Sequence, residues 1–175
     1  MIVIESYDSL WPLMFESECD NLRAALAPWL AGKIEHIGST AIPGLAAKPV
    51  IDIMGPVHSL EDATPAIAVL ARHHYCYYPY KADVMHWFCK PSPEIRTHHL
   101  HLVPIGSQLW KDRLAFRNAL RSSRALAAEY ENLKRQLAQK YPENREAYTD
   151  GKASFVTRVL STAQSAIARP AEYDS

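Results

Sequence analysis

The sequence has no excess of charge of either sign. Its 175 residues carry 19 Lys and Arg against 19 Asp and Glu, so the formal net charge is zero. A chain without net positive charge has no overall field that attracts nucleic acid or an anionic membrane surface. We therefore expect no membrane partner and find no strong nucleic-acid signal. Any cationic site must be local.

Cysteine and long apolar stretches are also scarce. The three cysteines, Cys19, Cys76 and Cys89, are widely spaced and form no CxxC pair, which favours reduced thiols over a disulfide framework. The first residues, MIVIESYDSLWP, lack the basic start and the long apolar run of a signal peptide. No stretch approaches the roughly 18 apolar residues that a membrane-spanning helix needs. These features predict a cytoplasmic protein.

The first half of the chain alternates helix and strand patterns. Apolar residues at helical spacing predict a helix over residues 9–32. A second helix is predicted in SLEDATPAIAVLARHH, starting either at a capping box on Ser59 or at Thr64. The predicted strands are KIEHI (33–37), PVIDIM (49–54), YCYYPY (75–80), VMHWFCK (84–90) and THHLHLVP (97–104). The aromatic residues of the last three favour a half-exposed antiparallel edge of a sheet.

From Ser107 onward the pattern becomes helical. One helix is predicted over about 107–121, a second ends at Pro142, and a third carries Tyr148 and Lys152 on its apolar face. We predict an α+β fold, in which a mixed sheet with flanking helices precedes a C-terminal helical bundle. The predicted organisation is an α/β core over 1–105, helices packed on it over 106–167, and a frayed tail over 168–175.

Asp52 lies in the apolar strand PVIDIM, where an ionised carboxylate needs a compensating partner. Strand alternation places Asp52 and Met54 on one face, and it places His99 and His101 on one face of their own strand. If the two strands lie close together, the histidines can compensate Asp52 by hydrogen bonds or through a shared metal. The alternative is that the histidines belong to a hydrated or hydrogen-bonded edge strand.

A turn in HIGSTAIPG precedes this strand. Gly38 allows a positive φ and a close backbone approach, and the hydroxyls of Ser39 and Thr40 can face an anion together with successive N–H groups. The same residues are also typical of an ordinary capped turn between a strand and a helix. The spacing to Asp52 favours the anion-binding interpretation, because it returns the chain to the same end of a βαβ-like unit.

Several blocks together resemble the GrpB family, a bacterial group related to the nucleotidyltransferase superfamily. They include IEHIGSTAIPGLAAKPVIDI, RTHHLHLV, EYENLKRQLA and EAYTDGKASF, and the resemblance spans about residues 5–160. It implies a nucleotidyltransferase-like, polymerase-β-like fold. The triphosphate-binding Gly-Ser turn of that superfamily falls on Gly38 and Ser39, and the first metal-binding carboxylate falls on Asp52. The second carboxylate falls on Met54 and the third within HHLHLV, so only one of the three acids is present.

The residues and the resemblance together define one candidate site. The candidate catalytic residues are Asp52, His36, His99 and His101; the candidate metal ligands are Asp52, His99 and His101; and the candidate ligand-binding residues are Gly38, Ser39, Thr40, Lys48, Arg96, Lys134 and Lys152. The expected cofactor is a divalent metal, Mg²⁺, Mn²⁺ or another transition metal, with a nucleoside triphosphate as substrate. Imidazole is a poor ligand for Mg²⁺ and a good one for Mn²⁺, Zn²⁺, Ni²⁺ or Fe²⁺.

The cationic candidates differ in what their helices predict for them. Lys152 shares the apolar face of its helix with Tyr148, so it needs an anionic partner if it is buried, unless its ammonium reaches the helix edge. Lys134 lies at the edge of the apolar stripe of its helix and is expected to be solvated.

Three functions are compatible with this site. The first is a nucleotide-binding protein of nucleotidyltransferase fold that transfers a nucleotidyl group to a small molecule or protein with a divalent metal. The second is a transition-metal-dependent hydrolase or phosphotransfer enzyme that uses Asp52 and the histidines, with Glu35 or His36 as base. The third is a non-catalytic module that binds a phosphorylated metabolite. The expected partner is a small-molecule nucleotide or a phosphorylated metabolite.

Overall fold

The computed structural model describes residues 1–168, which form a five-stranded mixed sheet with helices against both faces. In chain order the elements are α1 (Leu10–Ala25), β1 (Glu35–Ile37), a short 3₁₀ turn (Ser39–Ala41), β2 (Ile51–Val57), α2 (Ala66–Ala71), β3 (Cys76–Tyr78), β4 (His86–Pro91), β5 (Arg96–Pro104), α3 (Gln108–Ser122), α4 (Arg124–Lys140), α5 (Arg145–Asp150) and α6 (Ala153–Ala168). The predicted α+β fold class, with a mixed sheet followed by C-terminal helices, is confirmed. Residues 169–175, which make up nearly all of the predicted frayed tail, lie outside the described residues.

The strand order is β1-β2-β5-β4-β3. β2 and β5 run parallel, whereas β1 with β2, β5 with β4, and β4 with β3 pair antiparallel. Because β1 and β2 are antiparallel, the turn between them does not belong to a βαβ unit as predicted. The prediction that THHLHLVP lies at the edge of the sheet is also wrong. β5 is central because it pairs with β2 on one edge and with β4 on the other, and its side chains enter a buried cluster on each face, Leu100 and Leu102 on one and Val103 on the other.

The two faces of the sheet have different roles. On one face, Ile51, Ile53 and Leu100 pack with Leu22 of α1 and with Leu26, which follows the helix, and all five side chains are buried. Burying an aliphatic side chain of this size contributes about 1.5–3 kcal/mol, so this layer anchors the sheet. Strand alternation directs the side chains of the intervening residues to the opposite face. That second face holds the candidate functional residues.

Two N-terminal helices are shorter than predicted. α1 ends at Ala25 instead of Gly32, and Pro28 follows in a turn, where its missing N–H prevents the helix from continuing. α2 begins only at Ala66. Of the predicted capping box, one half forms: the Asp62 N–H donates to Ser59 Oγ at 3.1 Å, and the Ser59 hydroxyl donates to Asp62 Oδ2 at 2.7 Å. These bonds stabilise a separate turn ahead of the helix.

The C-terminal helices pack against the segment that follows β1. Ile42 and Leu45 of that segment share a buried cluster with Leu120, Tyr130 and Phe155 of α3, α4 and α6. No helix among residues 1–168 is long and apolar enough to cross a membrane.

The predicted third C-terminal helix is divided into α5 and α6. At the division, the Lys152 N–H donates to Thr149 O at 3.2 Å, three residues back, which tightens the turn. Gly151 lies against Leu137 so closely that a Cβ at this position would overlap the leucine side chain. The division therefore lets the chain bend over α4.

Candidate metal and anion site

Three candidate metal ligands meet on the second face of the sheet. The parallel pairing of β2 with β5 places Asp52 beside His99 and Met54 beside His101. Asp52 Oδ1 lies 3.0 Å from His99 Nδ1 and 3.7 Å from His101 Nε2. One potential ligand atom from each of the three side chains lies within 4.8 Å of the others. The cluster is therefore compact enough for three side chains to approach a single ion.

The unpaired nitrogens of the histidines test whether these residues fit a metal. Within the described part of the chain, His99 Nε2 and both ring nitrogens of His101 are buried without a hydrogen-bond partner. Leaving a buried polar atom unpaired costs about 1–3 kcal/mol. One carboxylate with two imidazoles is a donor set typical of sites for divalent transition metals. The residues present therefore fit such an ion, and they fit it better than Mg²⁺.

The protonation states of the cluster also suit coordination. Burial alone would raise the pKa of the Asp52 carboxyl, but His101 and His99 beside it outweigh that effect and hold the pKa well below its usual value. Burial lowers the pKa of His101 to about 4, although Asp52 opposes this shift. Near neutral pH Asp52 is thus ionised and His101 is neutral. These are the states that a metal requires of its ligands.

The turn after β1 lies directly against Asp52. Gly38 has φ 72°, in the region that favours glycine. A Cβ on Gly38 would overlap Asp52 Oδ2 and lie 2.9 Å from Asp52 Cβ. The positive φ expected from the sequence is therefore present, and the close backbone approach has a specific neighbour. Ser39 follows immediately and lies beside Tyr130, whose pKa is raised to about 12 by burial despite the Ser39 hydroxyl.

Two arginines of α3 hold both ends of this turn. Arg117 Nη1 donates to Glu35 Oε2 at 2.6 Å and to His36 O at 2.9 Å, before the turn. Arg121 Nε donates to Ala41 O at 2.9 Å, after it. Sequence reasoning did not single out these arginines. Their spacing places them on one face of a helix, which was the available signal.

Two lysines converge beside the cluster. Lys48 Nζ and Lys152 Nζ lie 5.7 and 4.6 Å from the centroid of the Tyr148 ring. The pKa of Lys152 is lowered to about 8, chiefly by burial and secondly by the charge of Lys48, while Asp52 opposes both effects. Burial also lowers the pKa of Lys48, again against the influence of Asp52. The site thus combines one ionised carboxylate with two crowded lysine side chains.

Lys134 is buried, so the expectation that it would be solvated is wrong. Lys134 is only 2% exposed, and its ammonium donates to Ala46 O. Glu131 accepts the Ala46 N–H at 3.1 Å, so α4 binds both the N–H and the carbonyl of Ala46. The Nζ also lies 5.1 Å from the centroid of the Tyr130 ring. In the described structure Lys134 supports the segment that carries Lys48.

Replacing Lys134 with methionine should change how stability depends on pH. Burial, reinforced by Lys152, lowers the pKa of Lys134 from 10.5 to about 7. Between these values the unfolded chain binds more protons than the folded one, so wild-type stability rises with pH through that window. Lys134→Met removes this contribution. From pH 7 to 9 the wild type should gain on the order of 1–2 kcal/mol relative to the variant. Urea denaturation of both proteins at the two pH values measures it, and parallel pH profiles would contradict it.

His36 and Thr40 are not brought to the cluster. His36 pairs with Ile53, so its side chain points to the face opposite Asp52, where it stacks on Phe15 at 4.7 Å between centroids. His36 Nε2 lies 3.0 Å from Thr40 Oγ1, and the Thr40 hydroxyl donates to Val50 O at 3.2 Å. Burial lowers the pKa of His36 to about 4, so this histidine is neutral. Both residues support the turn from behind.

Arg96 lies at the aromatic side of the cluster. Its guanidinium is 5.3 Å from the centroid of the Trp87 ring, and that ring is 4.9 Å from the ring of His99. Arg96 Nε also donates to Pro93 O at 2.9 Å. The structure thus brings Arg96 next to the candidate ligands through an intervening tryptophan.

The fold and the site define a mixed α+β protein that carries a candidate metal and anion site on one face of its sheet. The chain belongs to the GrpB family: the family model described as GrpB protein matches residues 1–162. It is 40% identical over 169 residues to a UPF0157 protein of Pseudomonas aeruginosa, covering 93% of this chain and 68% of that one. It is 30% identical over 165 residues to the Glutamate-rich protein GrpB of Alkalihalophilus pseudofirmus, covering 91% and 94%.

Two solved structures resemble the fold. The crystal structure of conserved protein GrpB from Enterococcus faecalis matches with a TM-score of 0.86 and 33% identity, over 95% of this chain and 100% of that one. The structure of the GLD-2/RNP-8 complex matches with a TM-score of 0.51 and 14% identity, over 91% and 61%. The second likeness concerns the fold alone.

Proposed function

We propose that this protein binds a nucleoside triphosphate through a divalent metal held by Asp52, His99 and His101. The observation that carries the proposal is the Asp52, His99 and His101 cluster itself, with the Gly38 turn against Asp52 and with Lys48 and Lys152, which meet at the Tyr148 ring, in electrostatic range of Asp52. Asp52, His99 and His101 would hold the metal, which would supply positive charge that stabilises a bound phosphate.

The chain's own residues account for the rest of the binding. Lys48 and Lys152 repel one another when both are charged, and a polyphosphate would relieve that repulsion. Gly38 lets the backbone approach the carboxylate, and the hydroxyl of the next residue, Ser39, lies beside Tyr130. The arginines and Lys134 fix the backbone on either side, so the phosphate-binding groups are held in place before the ligand arrives.

Nucleotidyl transfer is the reaction that we propose for this arrangement. The oxygen of an acceptor hydroxyl would form a bond to the α-phosphorus, the bond between that phosphorus and the oxygen bridging to the β-phosphate would break, and the hydroxyl proton would pass to solvent water. Pyrophosphate would leave with its charge offset by Lys48 and Lys152. The hydrolase alternative has less support. Of its two candidate bases, Glu35 is paired with Arg117 at 2.6 Å, and His36 points to the other face of the sheet. Release of pyrophosphate from ATP in the presence of candidate acceptors separates transfer from binding without turnover.

The identity of the metal gives a prediction for His101→Ala. Imidazole prefers Mn²⁺ and other transition ions to Mg²⁺, so removing it should weaken Mn²⁺ binding by about tenfold or more and Mg²⁺ binding much less. Calorimetry with protein purified without a histidine tag measures both affinities.

His98→Ala is the matched control for that experiment. His98 precedes His99 in β5 and so faces the opposite side of the sheet, where it lies close to Glu18. The control should bind both metals as the wild type does. Equal losses in the two variants, or an unchanged Mn²⁺ affinity in His101→Ala, would show that His101 is not a ligand.

A further inference from the structure

We infer that the aromatic surface next to the cluster, formed by Trp87, Tyr78 and Tyr80, is a stacking subsite for a nucleobase. This inference rests on the proposed binding of a nucleoside triphosphate, and it specifies which end of that ligand lies where. The phosphates would occupy the lysine side of the cluster and the base would occupy the tyrosine side.

The register of the sheet places the aromatic residues in one row with a candidate metal ligand. His101 pairs with Trp87, and Trp87 pairs with Tyr78, so the three side chains project from the same face of three successive strands. The Trp87 ring also contacts His99, at 4.9 Å between centroids. The candidate metal site and the aromatic surface are therefore continuous.

The exposure of these residues indicates a surface open to a ligand. Trp87 is 8% exposed, whereas Tyr78 and Tyr80 are 62% and 42% exposed. Both tyrosines meet the Trp87 ring edge-on, at 6.4 and 6.5 Å between centroids. The buried tryptophan thus holds two solvent-accessible rings at the border of the site. Any of the nucleobases can stack on such rings, because every base has a π-face.

The span across the strands suits the length of a nucleotide. Neighbouring strands lie about 4.8 Å apart. Tyr78 is on β3, two strand spacings or roughly 10 Å from β5, which carries His101, and three spacings from β2, which carries Asp52. That interval accommodates a ribose between a stacked base and metal-bound phosphates. Arg96, with its guanidinium 5.3 Å from the Trp87 centroid, places a positive charge at the junction.

The test compares ATP with inorganic tripolyphosphate, each titrated calorimetrically in the presence of Mn²⁺. For the wild type, ATP should bind about tenfold or more tightly than tripolyphosphate, the contribution of a base stacked on an aromatic ring. The double substitution Tyr78→Leu with Tyr80→Leu should abolish this difference and leave the affinity for tripolyphosphate unchanged. Both tyrosines are exposed, so the variant should fold, which circular dichroism checks.

Tyr77→Leu is the matched control, because Tyr77 alternates to the other face of β3 and packs in the opposite core. It should preserve the preference for ATP. The subsite is overturned if ATP binds no more tightly than tripolyphosphate, or if the double variant keeps the wild-type preference; in both cases metal-dependent phosphate binding still stands. If neither compound binds with Mn²⁺, the proposed function fails and the inference fails with it.

Discussion

Asp52→Asn is expected to abolish metal-dependent binding of ATP while leaving the fold intact. The substitution keeps the shape of the side chain and removes its charge, and that charge lies between imidazoles and is the only carboxylate of the described three-residue cluster. A neutral amide is a weak ligand for a divalent cation, so an ion would no longer be held against the phosphates. Calorimetry with ATP, with and without Mn²⁺, should show a loss of at least about a hundredfold in affinity.

Glu35→Gln provides the matched control for Asp52→Asn. Glu35 lies on the neighbouring strand, pairs with Met54 in register, and has its carboxylate bound to Arg117. Its substitution removes the same charge from the same face of the sheet without removing a proposed metal ligand. Binding should therefore persist. If wild type and Asp52→Asn bind ATP equally in the presence of Mn²⁺, Asp52 is not a metal ligand for nucleotides.

Gly38→Ala should destabilise the protein by about 2–4 kcal/mol, because it combines an unfavourable positive φ with a collision at the site. A Cβ at this position would overlap Asp52 Oδ2, and the neighbouring Asp52 atoms lie 2.9 and 3.0 Å away. The carboxylate would have to move, so nucleotide binding should be lost as well. Urea denaturation measures the first effect and calorimetry the second.

Gly44→Ala separates the two causes. Gly44 has φ 77°, close to the 72° of Gly38, but no atom lies within 4 Å of the position of an added Cβ. Its substitution should cost only the backbone term, about 1 kcal/mol. It should also leave binding unchanged. Equal losses of stability in the two variants would mean that the contact between Gly38 and Asp52 does not constrain the turn.

Local patterns predicted the strands and the faces on which their side chains lie. The alternation in PVIDIM and THHLHLVP correctly separates Asp52, His99 and His101 from Ile51, Ile53 and Leu100. What alternation cannot give is the pairing of distant strands. The parallel pairing of β2 with β5 sets Asp52 opposite His99 and makes β5 central. This pairing joins residues 47 positions apart in the sequence, so no local pattern carries information about it.

Contacts to main-chain carbonyls were the other feature that sequence patterns did not reveal. The sequence pattern places Lys134 at the edge of an apolar stripe, but in the structure its ammonium is buried against Ala46 O. Arg117 and Arg121 likewise bind carbonyls of the turn. Every residue carries a carbonyl, so no residue type marks the acceptor in advance. The support of the site by the C-terminal helices could therefore be found only from the three-dimensional arrangement.

Crystals of the untagged protein grown with Mn²⁺ and ATP would test the central claim most directly, by anomalous diffraction at the manganese edge. We predict one manganese peak within about 2.0–2.4 Å of Asp52 Oδ1 and a nitrogen of each of His99 and His101. Density for the phosphates should extend from that peak toward Lys48 and Lys152, beside the Gly38 turn. Manganese bound elsewhere with this cluster empty, or phosphate density remote from the turn, would contradict the claim.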